Sequence, residues 1–331
     1  MLSVGASLLL SLFAALLQPV TAQRAPLDVL TYRYDSARSG ANLEETELTP
    51  SAVKTRGLRK LVFRNVDGNV YAQPLIVTEA RDPNGGTRNL AIVATEHNSV
   101  YAFDTEDLAP DAQPMEESQK QIWKRTLGDA INSSDLAMKI GATFCRDLTT
   151  EIGITGTPAI KLTKQTAPKE GVIFVASKSS SGQDAVYHLF ALNLADGSTL
   201  GNPVRITGNV TTADGSSIEF KPLLQLNRPA LLLDSDVLYI AFGGHCDTGD
   251  YRGWMFAYDV SNPASPTQLG KLTTTFTPRS NHPDDKEGRG GIGCRAMALL
   301  QSMVEYSSRR ATEHTMSPTH SFPTCPIVSS R

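Results

Sequence analysis

The chain has 331 residues, a formal net charge of −3 and 40% hydrophobic residues, an ordinary composition for a globular protein. No run of Lys or Arg stands out, which argues against nucleic acid as a partner, since such proteins carry a basic stripe. No apolar stretch reaches the roughly 20 residues that a membrane-spanning helix needs, so no transmembrane segment is expected.

In chain order, residues 8–17 form an apolar core of the size found in secretory signals, and the small residues Val20-Thr21-Ala22 follow. Residues 1–22 are therefore read as a signal peptide, and the protein is expected to be secreted. An oxidising compartment lets the four cysteines, Cys145, Cys246, Cys294 and Cys325, form disulfides. The sequons at Asn132 and Asn209 are candidate glycan sites, although short sequons also arise by chance. Residues 30–34 read as a strand and residues 35–40 as a turn.

One pattern then recurs three times: a polar residue, a proline, a short apolar run, and two further apolar strands, the last ending in Asp or Asn. The first copy starts at Gln73-Pro74-Leu75 and ends at Asp104; the second starts at Thr157-Pro158-Ala159 and ends at Asn193; the third starts at Arg228-Pro229-Ala230 and ends at Asp259. Repeats of several short strands, none able to bury its faces alone, predict an all-β chain. The expected fold is a β-propeller of four-stranded antiparallel blades, about three of them, at about residues 61–127, 151–210 and 228–277. Residues 106–120 read as a loop with Pro110 and Pro114. Residues 128–150 read as a long connection with one helical turn near residues 134–140, and Asp196-Gly197 as a tight turn.

Residues 23–291 thus hold the blades. After about Gly291 the repeat stops, and residues 292–331, rich in Ser, Thr, Arg and His, read as an irregular, disordered tail. A propeller usually closes with about four to eight blades. Three form an incomplete arc with two orphan faces. At ~500 Å² of apolar surface each, a face represents about 12 kcal/mol, comparable with the roughly 5–15 kcal/mol of a whole domain. The chain is therefore expected to be a C-terminally truncated form of a longer repeat protein, with an altered tail.

Strand order gives a geometric inference. The first strand of a blade starts on one face, and the turn from the second strand into the third returns to that face. Gln73, Thr157 and Arg228 start first strands, whereas His97, Lys178, His245 and Asp247 lie at or near second turns. All seven are expected at one funnel mouth, either as a polar ring for a small ligand, sugar or quinone, or as a solvated rim of loop residues. Cys145 and Cys246 fall near that same face on neighbouring blades and are expected to pair. No metal site is expected, because His245-Cys246-Asp247 are sequential neighbours that point to alternate sides, and Asp284, Asp285 and Glu287 read as a charged turn.

Four stretches carry a family likeness: Tyr34-Asp35-Ser36-Ala37-Arg38-Ser39-Gly40, Asp67-Gly68-Asn69-Val70-Tyr71-Ala72-Gln73-Pro74-Leu75, Glu151-Ile152-Gly153-Ile154-Thr155-Gly156-Thr157-Pro158, and Gly243-Gly244-His245-Cys246-Asp247 with Tyr251-Arg252-Gly253-Trp254. They span about residues 30–280. Together they resemble the quinoprotein alcohol dehydrogenase-like β-propellers, built on pyrroloquinoline quinone repeats, and a subgroup of secreted members in particular. In full-length quinone-dependent relatives, the resemblance implies pyrroloquinoline quinone and calcium as cofactors. Those enzymes have about eight blades and often a vicinal disulfide. This chain lacks the later blades and has no adjacent cysteines, so no catalytic residue is carried over and its cofactor is left unknown. The expected function is a secreted quinoprotein-like propeller with binding or scaffold character, its partner a small molecule, a sugar or a protein. The alternative is a fragment of a pyrroloquinoline quinone-dependent oxidoreductase acting on alcohols or sugars. A glycoside-acting enzyme would need two carboxylates facing across a cleft, and the sequence places no such pair.

Overall fold

The computed structural model describes residues 27–35, 37–58, 63–105, 121–142, 150–182, 184–211, 215–274 and 290–292. The expected signal peptide, the tail beyond Ile292, and Cys145, Cys294 and Cys325 lie outside the described residues.

Strands β1 (Leu75–Arg81), β2 (Thr87–Ala94), β3 (Ser99–Asp104) and β4 (Gln121–Thr126) form an antiparallel meander in chain order. A short ribbon of β5 (Ile131–Asn132) and β6 (Glu151–Ile152) follows. Between them, the expected single helical turn is a seven-residue helix, Ser133–Lys139. Asn132 lengthens it by capping, since its Oδ1 accepts from the amides of Ser134 and Asp135. The second meander is β7 (Ala159–Lys164), β8 (Glu170–Ser181), β9 (Asp184–Asn193) and β10 (Val204–Arg205), again in chain order. The ribbon β11 (Asn209–Thr211) and β12 (Ser217–Glu219) precedes the third sheet. That sheet comprises β13 (Gln225–Leu226), β14 (Leu232–Asp234), β15 (Val237–Gly244), β16 (Trp254–Asp259) and β17 (Thr267–Thr273).

The period-two alternation of strand side chains explains how the sheets stack. On β8, Ile173 and Val175 join a core with Leu75, Val77, Leu90 and Ile92 of the first sheet. Their neighbours Val172, Phe174 and Ala176 join a second core with Leu238, Ile240, Phe242 and Phe256 of the third. Strand β9 divides the same way, Phe190 and Leu192 toward the first sheet and Tyr187, Leu189 and Ala191 toward the third. The middle sheet is thus buried on both faces, which is why its strands read as near-continuous apolar runs. On the far face of the third sheet, Leu232, Ala241 and Met255 pack with Ile292, whose amide donates to the Phe242 carbonyl. The chain is all-β in class, and among the described residues no helix is long and apolar enough to cross a membrane.

The proline-led segments lie side by side. The Gln73 amide donates to Thr157 Oγ1 at 2.9 Å, and the Leu231 amide to the Thr157 carbonyl at 2.9 Å. At the other end of the strand order, Trp123 of β4 locks the first sheet to the second: its Nε1 donates to the Leu194 carbonyl at 3.1 Å and its ring covers Gly197, where a Cβ would stand 2.5 Å from the ring. That glycine, in the expected Asp196-Gly197 turn, also needs its positive φ of 69°.

Two expected strands differ. Residues 30–34 form no strand; Val29 makes one bridge to Ile76, and Arg33 and Tyr34 turn the chain with positive φ. The segment instead crosses all three leading strands: the Ile160 amide donates to the Leu30 carbonyl, the Arg33 amide to Gln73 Oε1, and Arg38 Nη2 to the Leu231 carbonyl at 3.0 Å. In the third repeat, the leading strand is split into β13 and β14, which pair with opposite ends of β15. Pro229 has no N–H to give the ladder, and Asn227 Nδ2 takes its place by donating to the Ala241 carbonyl at 2.8 Å.

Candidate functional site

The register brings the starts of the leading strands and the second turns to one end of the stack. Strand β1 begins near the end of β2, β7 begins opposite Phe174, from which β8 runs on past it, and β13 pairs with the end of β15. Cross-links join these ends directly. Asn98 Nδ2 donates to the Lys178 carbonyl at 2.7 Å, tying the β2–β3 turn to β8. Thr155 Oγ1 donates to the Asn227 carbonyl at 2.6 Å, tying the β6–β7 segment to the third sheet.

The seven sequence-predicted residues fall into groups at this end. Gln73 and Thr157 are joined by the bond given above, and Thr157 is buried. His97 is half-exposed, with Nδ1 2.6 Å from Glu151 Oε2. Beside it the buried Glu96 accepts at Oε1 from Asn69 Nδ2 at 2.8 Å and from Thr150 Oγ1 at 3.4 Å. Asp247 is exposed and accepts from the Tyr251 hydroxyl at 2.6 Å, and Arg228 is exposed.

Lys178 and His245 meet each other. Both are fully buried, and Lys178 Nζ stands 3.0 Å from His245 Nε2. The same Nζ lies 2.9 Å from the Gln225 carbonyl and 3.3 Å from the Leu223 carbonyl, over the Tyr187 ring. Burial pushes the Lys178 amine well below its usual range. Burial also pushes the His245 imidazole well down, with Lys178 and Arg228 adding to the effect. Burial raises the Tyr187 hydroxyl, which donates to the Gln225 carbonyl and accepts from the Asn227 amide.

Sequence reading missed Glu151, Asn98, Gln225, Asn227 and Tyr187. One of them had a visible signal: Asn98 closes the tight β2–β3 turn with φ of 60°, a conformation that asparagine tolerates better than most residues. The others gain their partners only from long-range packing. In chemical terms, this end offers a half-exposed imidazole held by a carboxylate and, separately, a buried amine whose polar contacts are a histidine and two backbone carbonyls.

Asn132 and Asn209 are both exposed. Cys246, with φ of 48°, sits in the β15–β16 turn. Its pairing with Cys145 stays a proposal with a direct check: peptide mapping without reductant should recover one linked peptide containing both residues, and free thiols at both would overturn it.

Pyrroloquinoline quinone with calcium requires several oxygen donors around one cation. Among the described residues no three His, Cys, Asp or Glu converge in that way. No redox step is derived. Compared with protein-family models and with curated proteins, the chain matches none of either.

Proposed function

We propose that the chain is a secreted, quinoprotein-like propeller arc with binding or scaffold character, whose ligand site lies at the end where the leading strands begin. The observation that carries this reading is the way the repeats stack. Two four-stranded meanders and a five-stranded sheet lie face to face, with the middle sheet buried on both sides, and their proline-led segments are joined through Thr157. Propeller blades pack in this manner, and ligands commonly use the polar end of the hub. His97 and Glu151 are the pair we assign to ligand contact, and the ligand class that suits them is a hydroxyl-rich small molecule or sugar.

The test uses the purified full chain in thermal unfolding against a panel of mono- and oligosaccharides and pyrroloquinoline quinone with calcium. A true ligand at a hundred times its Kd stabilises by about 2.7 kcal/mol. The expected result is a shift for a saccharide that is lost in His97→Ala. No shift with any compound would reject the ligand site. Cofactor-dependent oxidation of alcohols or sugars with an artificial electron acceptor would replace this reading with the oxidoreductase alternative.

A further inference from the structure

The contact between Lys178 and His245 joins two sheets. Lys178 belongs to β8 of the second; His245 follows β15 of the third, and the carbonyls around Nζ come from Leu223 and Gln225, which lead into the third. The His245 amide itself donates to the Leu224 carbonyl. With Nζ and Nε2 facing each other at 3.0 Å, the gap holds one shared hydrogen. A second proton would set N–H against N–H and two cations side by side in a dry interior. The surroundings offset them only in part: the Gln225 backbone favours a protonated His245, and the Leu223 and Gln225 carbonyls accept from Lys178 Nζ. Tyr187 of β9 presents its ring and hydroxyl, Asp184 at the start of β9 is the acidic group felt by Lys178, and Arg228 adds positive charge toward His245.

We propose that the Lys178–His245 contact is a proton-operated latch that holds the end of the third sheet against the second and releases it in acid. The inference needs no ligand and stands apart from the proposed function. Its sign follows from linkage. A histidine in an open or unfolded segment takes a proton near pH ~6.5, whereas His245 in the closed latch resists it. The open state therefore binds more protons as pH falls, and the latch weakens below that pH. Lys178 acts in the same direction over a higher range, since an exposed lysine is protonated below pH ~10.4.

Hydrogen exchange of the full chain between pH 8 and pH 5 tests the latch. After correction for intrinsic exchange, the opening constant of the residue 245 amide should rise about tenfold per pH unit below pH ~6.5, the signature of one proton taken up. Amides of β2 and β3 should stay flat over that range. In His245→Gln the slope at residue 245 should vanish, because the amide oxygen still accepts from Lys178 but takes no proton. In Lys178→Met the rise should level off at a higher pH, because the imidazole then faces no cation and takes up its own proton sooner. An unchanged slope in His245→Gln, or a rise in Lys178→Met that levels off no earlier than in the unaltered chain, would overturn the latch, as would β2 and β3 opening in step with residue 245. Should His245→Gln not fold, Lys178→Met decides; should neither fold, a flat pH profile of the residue 245 amide in the unaltered chain overturns the latch.

Discussion

A Gly156→Ala chain is expected to lose about 3 kcal/mol or more of stability, the upper end of what overpacking usually costs. Neither Gly156 nor Gly153 has a positive φ, so the requirement is for space and not for a special backbone conformation. An alanine Cβ at residue 156 would stand 2.3 Å from Asn227 Oδ1 and 2.6 Å from the Pro229 carbonyl. At residue 153 it would stand 2.2 Å from the Glu96 carbonyl and 2.5 Å from Asn98 Oδ1. The backbone atoms among these are held by their own bonds: Glu96 donates its amide to the Asn69 carbonyl, and Pro229 flanks the gap that Asn227 fills. Residues 153–156 thus press on the first sheet at one glycine and on the third at the other, with Ile154 buried between them. Either substitution must move a whole sheet end. Urea unfolding should show a lower midpoint with an unchanged slope for each variant. Gly270→Ala is the control, because nothing lies within 4 Å of its Cβ position and strand glycine is itself unfavourable by roughly 0.5–1 kcal/mol. A Gly156→Ala midpoint matching that of Gly270→Ala would refute the spatial reading.

The two glycines also mark how far the sequence could be read. The strand pattern was legible because it is local: the proline-led apolar runs of the repeats and the Asp196-Gly197 turn follow from side-chain pattern and turn chemistry. The proline anchors lead to Gln73 and Thr157, which one hydrogen bond joins. What stayed hidden depends on which atoms meet between repeats. Nothing local marks glycines 153 and 156 as points of close approach between sheets. Residues 30–34 had strand composition, yet the Leu30 carbonyl is spent on the second sheet and the Arg33 amide on Gln73 at the start of the first. Lys178 looked like a solvent-facing group at a turn, because nothing in its neighbours along the chain announces two backbone carbonyls and an imidazole arriving from residues 223–245. The proline of the third repeat was taken as a strand start like the first two. Only the Asn227 side chain, bonded to Ala241, lets the ladder skip it.

Truncating Trp254 should be as damaging, for a different reason. The side chain is 1% exposed and sits among aromatic rings between the second and third sheets. It stacks on Phe256 at 5.8 Å and meets Phe220 edge-on at 5.7 Å, and Phe220 in turn meets Phe242 at 4.8 Å. Trp254→Ala is expected to cost about 3–5 kcal/mol, the usual range for a buried tryptophan, because removing one ring of an interlocked set leaves a cavity that its neighbours cannot close. The chain has two tryptophans, and each reports a different contact: Trp123 the first sheet against the second, Trp254 the second against the third. Trp254→Phe and Trp123→Phe therefore make single-tryptophan chains whose fluorescence follows one contact at a time. Coincident denaturant transitions in the two would mean that the stack unfolds as one cooperative unit. An earlier transition for Trp254 would place the weak joint between the second and third sheets, on the side of the stack where the Lys178–His245 contact also lies. A loss below 1 kcal/mol in Trp254→Ala would mean that the rings repack, and the aromatic cluster would then not be what holds those two sheets together.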